Sequence, residues 1–242
     1  MRKLTSGLLL ASLGTLPMAA TADIVGLGAS IGYWDSDLSG RAVNQGSAVD
    51  VENDLNLSNS GRTDFSAYLE HPVPLLPNIR VNYLSIDQSG RGTLTTGYDG
   101  IGAGVPVSSE LELTQLDVTL YYEILDNWVN LDLGLTARDL DGELNVAGGG
   151  QLSRTEIDAV IPMLYVAARF DLPLSGLSVG VDGNAIAFDG DSVYDFNAYG
   201  QYSFSGAYLR AGYRQMTVDY EDGNDRLDIE LGGPFVSAGF TF

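Results

Sequence analysis

In the stretch 129–138 every second residue is apolar: Val129, Leu131, Leu133, Leu135 and Ala137 alternate with Asn130, Asp132, Gly134, Thr136 and Arg138. A period of two is the side-chain period of a β-strand, which shows one set of residues on each face of a sheet. The pattern recurs along the chain. Leu27, Ala29, Ile31 and Tyr33 oppose Gly26, Gly28, Ser30 and Gly32, while Leu116, Val118, Leu120 and Tyr122 oppose Asp117, Thr119, Tyr121 and Glu123. Phe196, Ala198, Tyr202 and Phe204 oppose Asp195, Asn197, Gln201 and Ser203, and Leu209, Ala211 and Tyr213 oppose Tyr208, Arg210, Gly212 and Arg214. Ten segments read as strands: 24–34, 63–70, 79–87, 110–123, 129–139, 156–170, 177–188, 193–204, 207–218 and 227–242. No amphipathic helix of useful length separates them, so the fold class is all-β. No charge falls in the central part of any apolar face.

That alternation fits a soluble barrel with its apolar side inward or a membrane barrel with its apolar side outward. Composition favours the second. Lys3 is the only lysine in 242 residues, and 32 acidic residues face 12 basic ones for a net charge of −20. A water-facing sheet normally carries Lys and Glu, whereas the polar faces here carry Gly, Asn, Thr, Arg and Asp. Most of the segments also reach the roughly 9–11 residues that a tilted strand needs to cross a bilayer.

The beginning of the chain is a targeting segment in this reading. Arg2 and Lys3 precede a short apolar run from Leu8 to Leu16, and Ala20-Thr21-Ala22 is a small-residue cleavage site. Residues 1–22 are expected to be a signal peptide for export through the inner membrane, leaving 23–242 as one outer-membrane β-barrel domain. The connections alternate in length. Those at 35–62, 88–109 and 140–155 are long, polar and Gly-rich, and 219–226 is acidic; those at 71–78, 124–128, 171–176 and 205–206 are short. Long loops at one end and short turns at the other are the pattern of Gram-negative outer-membrane barrels, with both termini on the periplasmic side. Only 189–191 departs from it, being short on the long-loop side. The expected architecture is an antiparallel up-and-down transmembrane barrel of ten strands, rather than eight or twelve. Its last stretch places Phe240 and Phe242 on alternate positions, in an aromatic girdle and as an assembly signal.

Two places fit less well. The apolar phase slips between Leu113 and Leu116, which suggests a bulge or a strand start there. Pro162 stands in a strand that a closed barrel should hydrogen-bond on both sides.

At Glu70-His71-Pro72-Val73-Pro74-Leu75-Leu76-Pro77-Asn78 the chain resembles a family of small, functionally uncharacterised outer-membrane β-barrel proteins of proteobacteria. A similar E-H-P-x-P-L-x-P-N stretch there forms the periplasmic turn joining the second and third strands, and Glu70, His71, Pro72, Pro74, Pro77 and Asn78 carry the match. The resemblance implies location and fold; the family has no settled activity to carry over.

Chemistry is sparse. Cysteine is absent, which removes disulfides, thiolate metal sites and cysteine nucleophiles. His71 is the sole histidine. It could serve as a base, a ligand or a docking contact, but without an orienting partner nearby it reads as a cap on a proline-stiffened turn. Nucleophile-plus-base catalysis is not expected, no catalytic residue is named, and no cofactor is implied. Asp50, Glu52, Asp54, Asp139, Asp141 and Glu143 could offer oxygens to Ca²⁺, although their spacing matches no EF-hand and a solvated acidic loop explains them as well. The lumen is expected to be lined by Arg80, Asp117, Glu123, Asp132, Arg138, Arg169, Asp182, Asp195, Arg210 and Arg214, with Glu70 beside them. Ten strands lie nearer the closed limit of eight than the open pore of about sixteen. The expected function is therefore an integral outer-membrane protein with a structural or surface-interaction role and a narrow or plugged lumen. A porin-like channel for polar solutes is the alternative, and a lipid-modifying or proteolytic barrel a remoter one. Expected partners are outer-membrane lipid and lipopolysaccharide, with the outer-membrane assembly machinery engaged through the C-terminal strand. So acidic a surface repels nucleic acid.

Overall fold

The computed structural model describes residues 25–44, 47–57, 60–222 and 225–242; the segment 1–22 read as a signal peptide lies outside them. The strands are β1 (Gly26–Asn44), β2 (Ser47–Asp50), β3 (Ser60–Glu70), β4 (Asn78–Thr93), β5 (Pro106–Asp126), β6 (Val129–Gly148), β7 (Gln151–Asp171), β8 (Leu177–Phe188), β9 (Asp191–Phe204), β10 (Ala207–Asp222) and β11 (Asp225–Thr241). Ten of them form the wall, each antiparallel to its neighbours, and β11 returns to pair with β1 from Thr241 opposite Gly28 to Arg226 opposite Val43. Closure runs to the last residue, where the Phe242 amide donates to Leu27 O at 2.7 Å and the Leu27 amide donates back at 3.2 Å. The short β2 is an arm folded onto the upper end of β1. The chain is thus a closed ten-stranded antiparallel barrel.

Its outside carries the apolar set. Leu27, Ile31, Phe65, Val118, Leu133, Val179, Leu209 and Phe240 are all exposed, and they stand where the alternation turns every second side chain away from the lumen. An uninterrupted apolar band around a closed sheet has hydrocarbon as its solvent.

Every long strand continues past this band, and there the two faces exchange character. On β4, Ile79, Val81 and Tyr83 point outward and give way to Ser85, Asp87 and Ser89, while inward Arg80 and Asn82 give way to Leu84 and Ile86. On β5 the outward row passes from Leu116 to Thr114, Glu112 and Glu110, and the inward row from Asp117 and Gln115 to Leu113 and Leu111. This corrects the bulge expected at Leu113–Leu116: pairing of β5 with both β4 and β6 is continuous there, and the register shift falls at Glu123/Leu125 near the short-turn end. Side-chain direction does not slip at Leu113–Leu116. The surroundings change from lipid to water, so the buried side must change from polar to apolar.

The same inversion corrects the loops. Much of 35–62, 88–109, 140–155 and 219–226 is strand, because Asp and Glu alternating with Leu and Val suit a sheet in water as well as Leu alternating with Asp suits one in lipid. Pro162 also finds its explanation. It faces outward opposite Ala137 of β6, but on the other side β7 pairs with β8 only from Leu164 opposite Ala185 downward. β8 runs on to Phe188, but its ladder with β7 stops at Leu164, and the hairpin turns at Asp189 and Gly190, whose φ angles of 53° and 100° suit a tight primed turn. No second neighbour asks Pro162 for a hydrogen bond.

Candidate functional site

Three layers of side chains stack along the lumen between the short-turn end and the opposite end, and each is a candidate seal. The lowest is aromatic. The Arg80 guanidinium lies 5.9, 5.4 and 5.3 Å from the ring centres of Tyr68, Tyr121 and Tyr165, and Arg210 lies 4.3 and 5.1 Å from those of Tyr199 and Tyr208. Arg80 donates to the Tyr165 hydroxyl, and Arg210 donates to Gln201 Oε1 at 2.6 Å and stands 3.8 Å from Asp182. Inward glycine makes room for this layer: a Cβ on Gly28 would sit 2.1 Å from the Tyr68 ring. Below it a vestibule of about 500 Å³ opens at the short-turn end, lined by Glu70, Glu123, Asp132 and Arg169 among others. Above it lies a polar cavity of about 110 Å³, room for about three or four waters at their liquid volume.

The second seal is ionic. Arg138 donates through Nε and Nη2 to the two oxygens of Asp117, both at 2.8 Å, and through Nη2 to Asp195 Oδ2 at 2.7 Å. Arg214 takes the other side of Asp195, with Nε 2.9 Å from Oδ1 and Nη2 2.8 Å from Oδ2, and lies 4.5 Å from the Trp34 ring centre. β5, β6, β9 and β10 each supply one charged group, and Trp34 comes from β1. Arg138, Asp117 and Asp195 are buried. Such desolvation is tolerable only because the carboxylate oxygens are multiply bonded to guanidinium donors.

The third seal is an apolar core inside the projecting part of the barrel. Trp34, Leu38, Leu84, Ile86, Val107, Val146, Met216 and Leu231 point in from the wall, and Leu55, Leu57, Leu94, Tyr98 and Ile101 come from connections folded inward. Each fully buried Leu or Ile here contributes about 1.5–3 kcal/mol. The turn after β2 reaches in because β4 leaves space for it; a Cβ on Gly90 would lie 2.2 Å from Leu55 O.

Asp50 and Asp54 hold that turn. Asp50 Oδ1 accepts the amides of Glu52 and Asn53 at 3.1 and 2.8 Å, and these donors, Asn53 first, hold its carboxyl below the usual carboxylate range. Asp54 accepts the Asp50 and Thr95 amides at 3.1 and 3.0 Å, stitching the turn to the β4–β5 connection. Both carboxylates are therefore committed to amides, and Glu52 is exposed beside them. Asp139, Asp141 and Glu143 stand on the outer face of β6, far along the strand from that turn. Among the described residues no three His, Asp or Glu side chains come together as a metal site.

At the opposite end both nitrogens of His71 brace its turn. Nδ1 accepts the Val73 amide at 3.3 Å, so the proton resides on Nε2, which donates to Pro77 O at 3.1 Å. Asn78 accepts the His71 amide at 3.1 Å and donates to Glu123 at 3.2 Å, and Glu70 accepts the Tyr121 hydroxyl at 2.8 Å. The polar residues of the E-H-P-x-P-L-x-P-N stretch thus tie the turn to itself and to β5. Trp34, Arg62 and the tyrosine layer were not singled out from the sequence. Tyr121 and Tyr208 stood on polar faces, a usable signal, whereas Arg62 fell in a segment read as loop. It donates to Ser36 O at 3.1 Å and lies 5.6 Å from the Trp34 ring centre.

No family model and no curated protein sequence matches the chain. Solved structures are similar in fold. The outer membrane protease OmpT from Escherichia coli aligns with a TM-score of 0.58 at 10% identity, covering 92% of this chain and 98% of that one. The translocator domain of the autotransporter NalP from Neisseria meningitidis gives 0.49 at 12% identity, covering 89% and 88%. Ail of Yersinia pestis, in complex with sucrose octasulfate, gives 0.40 at 12% identity, covering 90% and 99%. The OmpT likeness is one of barrel fold. Closed, even-stranded and belted by apolar side chains, this protein belongs to the outer membrane of a Gram-negative bacterium.

Proposed function

We propose that this protein is a sealed outer-membrane barrel whose role is structural and surface-interacting, without transport or catalysis. The observation that carries this reading is the Asp117–Arg138–Asp195–Arg214 chain, which links β5, β6, β9 and β10 across the lumen, with a buried apolar cluster in the projecting part of the barrel. An ion crossing the barrel would have to break charge-assisted bonds in a desolvated site and then pass through packed Leu and Ile. The engagement of both His71 nitrogens in its turn is consistent with the reading too. Lipid and lipopolysaccharide are the partners that the belt and its aromatic margins would meet, and the C-terminal strand is where assembly factors would engage.

The test is electrical. The purified, folded protein in planar bilayers should give no steady single-channel steps above baseline. Reproducible ohmic steps from protein of verified fold would overturn the sealed reading in favour of a small channel.

A further inference from the structure

The wall is not equally tall all round. β6 and β7 are paired along their whole length, up to Gly148 opposite Gln151. On its other side the β7–β8 ladder ends at Leu164 opposite Ala185, and residues 151–161, level with or beyond the end of β8 at Phe188, have no ladder partner there. No backbone hydrogen bond ties that edge to another segment among the described residues. Across the notch, β10 pairs with β9 up to Asp219 opposite Ser192. Two strands are missing from the rim between β7 and β10, a gap of about 14 Å at the usual spacing.

An open edge of this length is a template for another strand, and a barrel fold otherwise exists to abolish such edges. The outer face beside it is unusual in charge. Glu112, Glu143 and Glu156 stand directly opposite one another across β5, β6 and β7, and Asp141 stands opposite Asp158. Like charges in register weaken a sheet, and one ion pair, Arg154 to Glu143 at 3.1 Å, offsets them on these strands. The inward side of the same edge is mild: Ser153, Thr155, Ala159 and Ile161. A strand added here would meet Glu156 and Asp158 on its outer face, between Arg154 and Val160, and small or apolar groups on its inner face. A second copy offering the same edge would bring acid against acid, so the complement is a basic partner.

We infer that the free edge of β7 over residues 151–161 captures an extended, basic segment of a partner polypeptide as an added strand, held by main-chain hydrogen bonds and selected by Glu156, Asp158 and Asp141. This rests on the surface-interaction reading and names its partner's chemistry. Alternating Lys or Arg would lie over the carboxylates, and Val or Thr would lie over Ala159 and Ile161. Main-chain pairing supplies attraction and alternate side chains supply choice.

The test uses the full protein in nanodiscs and a labelled nine-residue peptide of alternating Lys and Val/Thr, followed by fluorescence anisotropy. Two further peptides carry N-methyl groups on alternate residues, one blocked along each edge. The parent should bind, one methylated form should lose binding at least tenfold, and the other should retain it. The Glu156→Lys/Asp158→Lys variant, both changes being on exposed outward positions, should weaken the parent by about tenfold or more. Amides of alternate residues between 152 and 160 should slow in hydrogen exchange on saturation. Absent binding, equal binding of all three peptides, or unchanged exchange would each overturn the inference. A non-conducting barrel that fails to bind sinks only this proposal, whereas a conducting barrel that binds sinks only the sealed reading.

Discussion

Asp195 shows how much one side chain can hold. Its two oxygens receive Arg138 and Arg214, and it has almost no contact with water. Asp195→Ala would strand the Arg214 guanidinium in a desolvated space and leave Arg138 with Asp117 alone, a loss of about 3–5 kcal/mol. Denaturant unfolding in detergent should show it as a lowered midpoint with the barrel signature kept, and a change under about 1 kcal/mol would mean that water already reaches the network. The alternation put Asp195, Arg138 and Arg214 on inward faces, so their placement in the lumen was legible from the residues alone. Their pairing was not. It depends on stagger across β5, β6, β9 and β10, which no pattern along one strand encodes. His71 was legible in a different way: three prolines within seven residues announce a stiff turn, but only folded geometry brings Pro77 O to Nε2 and the Val73 amide to Nδ1.

At the level of the strand, β4 carries the clearest lesson. Its side chains keep one phase from Asn78 to Thr93 while its surroundings change between Tyr83 and Ser85. An outward charge should therefore be costly on one side of that boundary and cheap on the other. Val81→Arg should destabilise by about 2–4 kcal/mol if Val81 lies near the bilayer midplane, and Ser85→Arg should change stability by under about 0.5 kcal/mol. Equal effects in reversible folding into lipid vesicles would move the boundary or remove it. Strand number, order and closure were readable because the apolar rows repeat ten times. Strand length was not, since the expectation that Leu and Val face outward was carried past the point where lipid ends. The apparent slip at Leu113 and Leu116 is that boundary seen from one dimension, and the long polar connections were its other symptom.

For the whole molecule, closure of the lumen in the sealed barrel proposed above depends on layers of different chemistry arranged in series. Opening one should leave the others intact. Asp54→Ala, which unties the inward turn from Thr95, and Asp195→Ala, which breaks the ionic layer, should each remain silent in planar bilayers. The double variant, with the Arg80 and Arg210 layer still in place, should stay silent as well, and current is expected only when that layer is removed too. Steady current from either single variant would show that its partner seal does not close the path. The exchange of faces along the strands has one more consequence. If the short turns face the periplasm, as the loop pattern implies, Glu110, Glu112, Asp139, Asp141, Glu143, Glu156 and Asp158 lie on the outer side, and during biogenesis each carboxylate must traverse the hydrocarbon slab that the finished wall shuns.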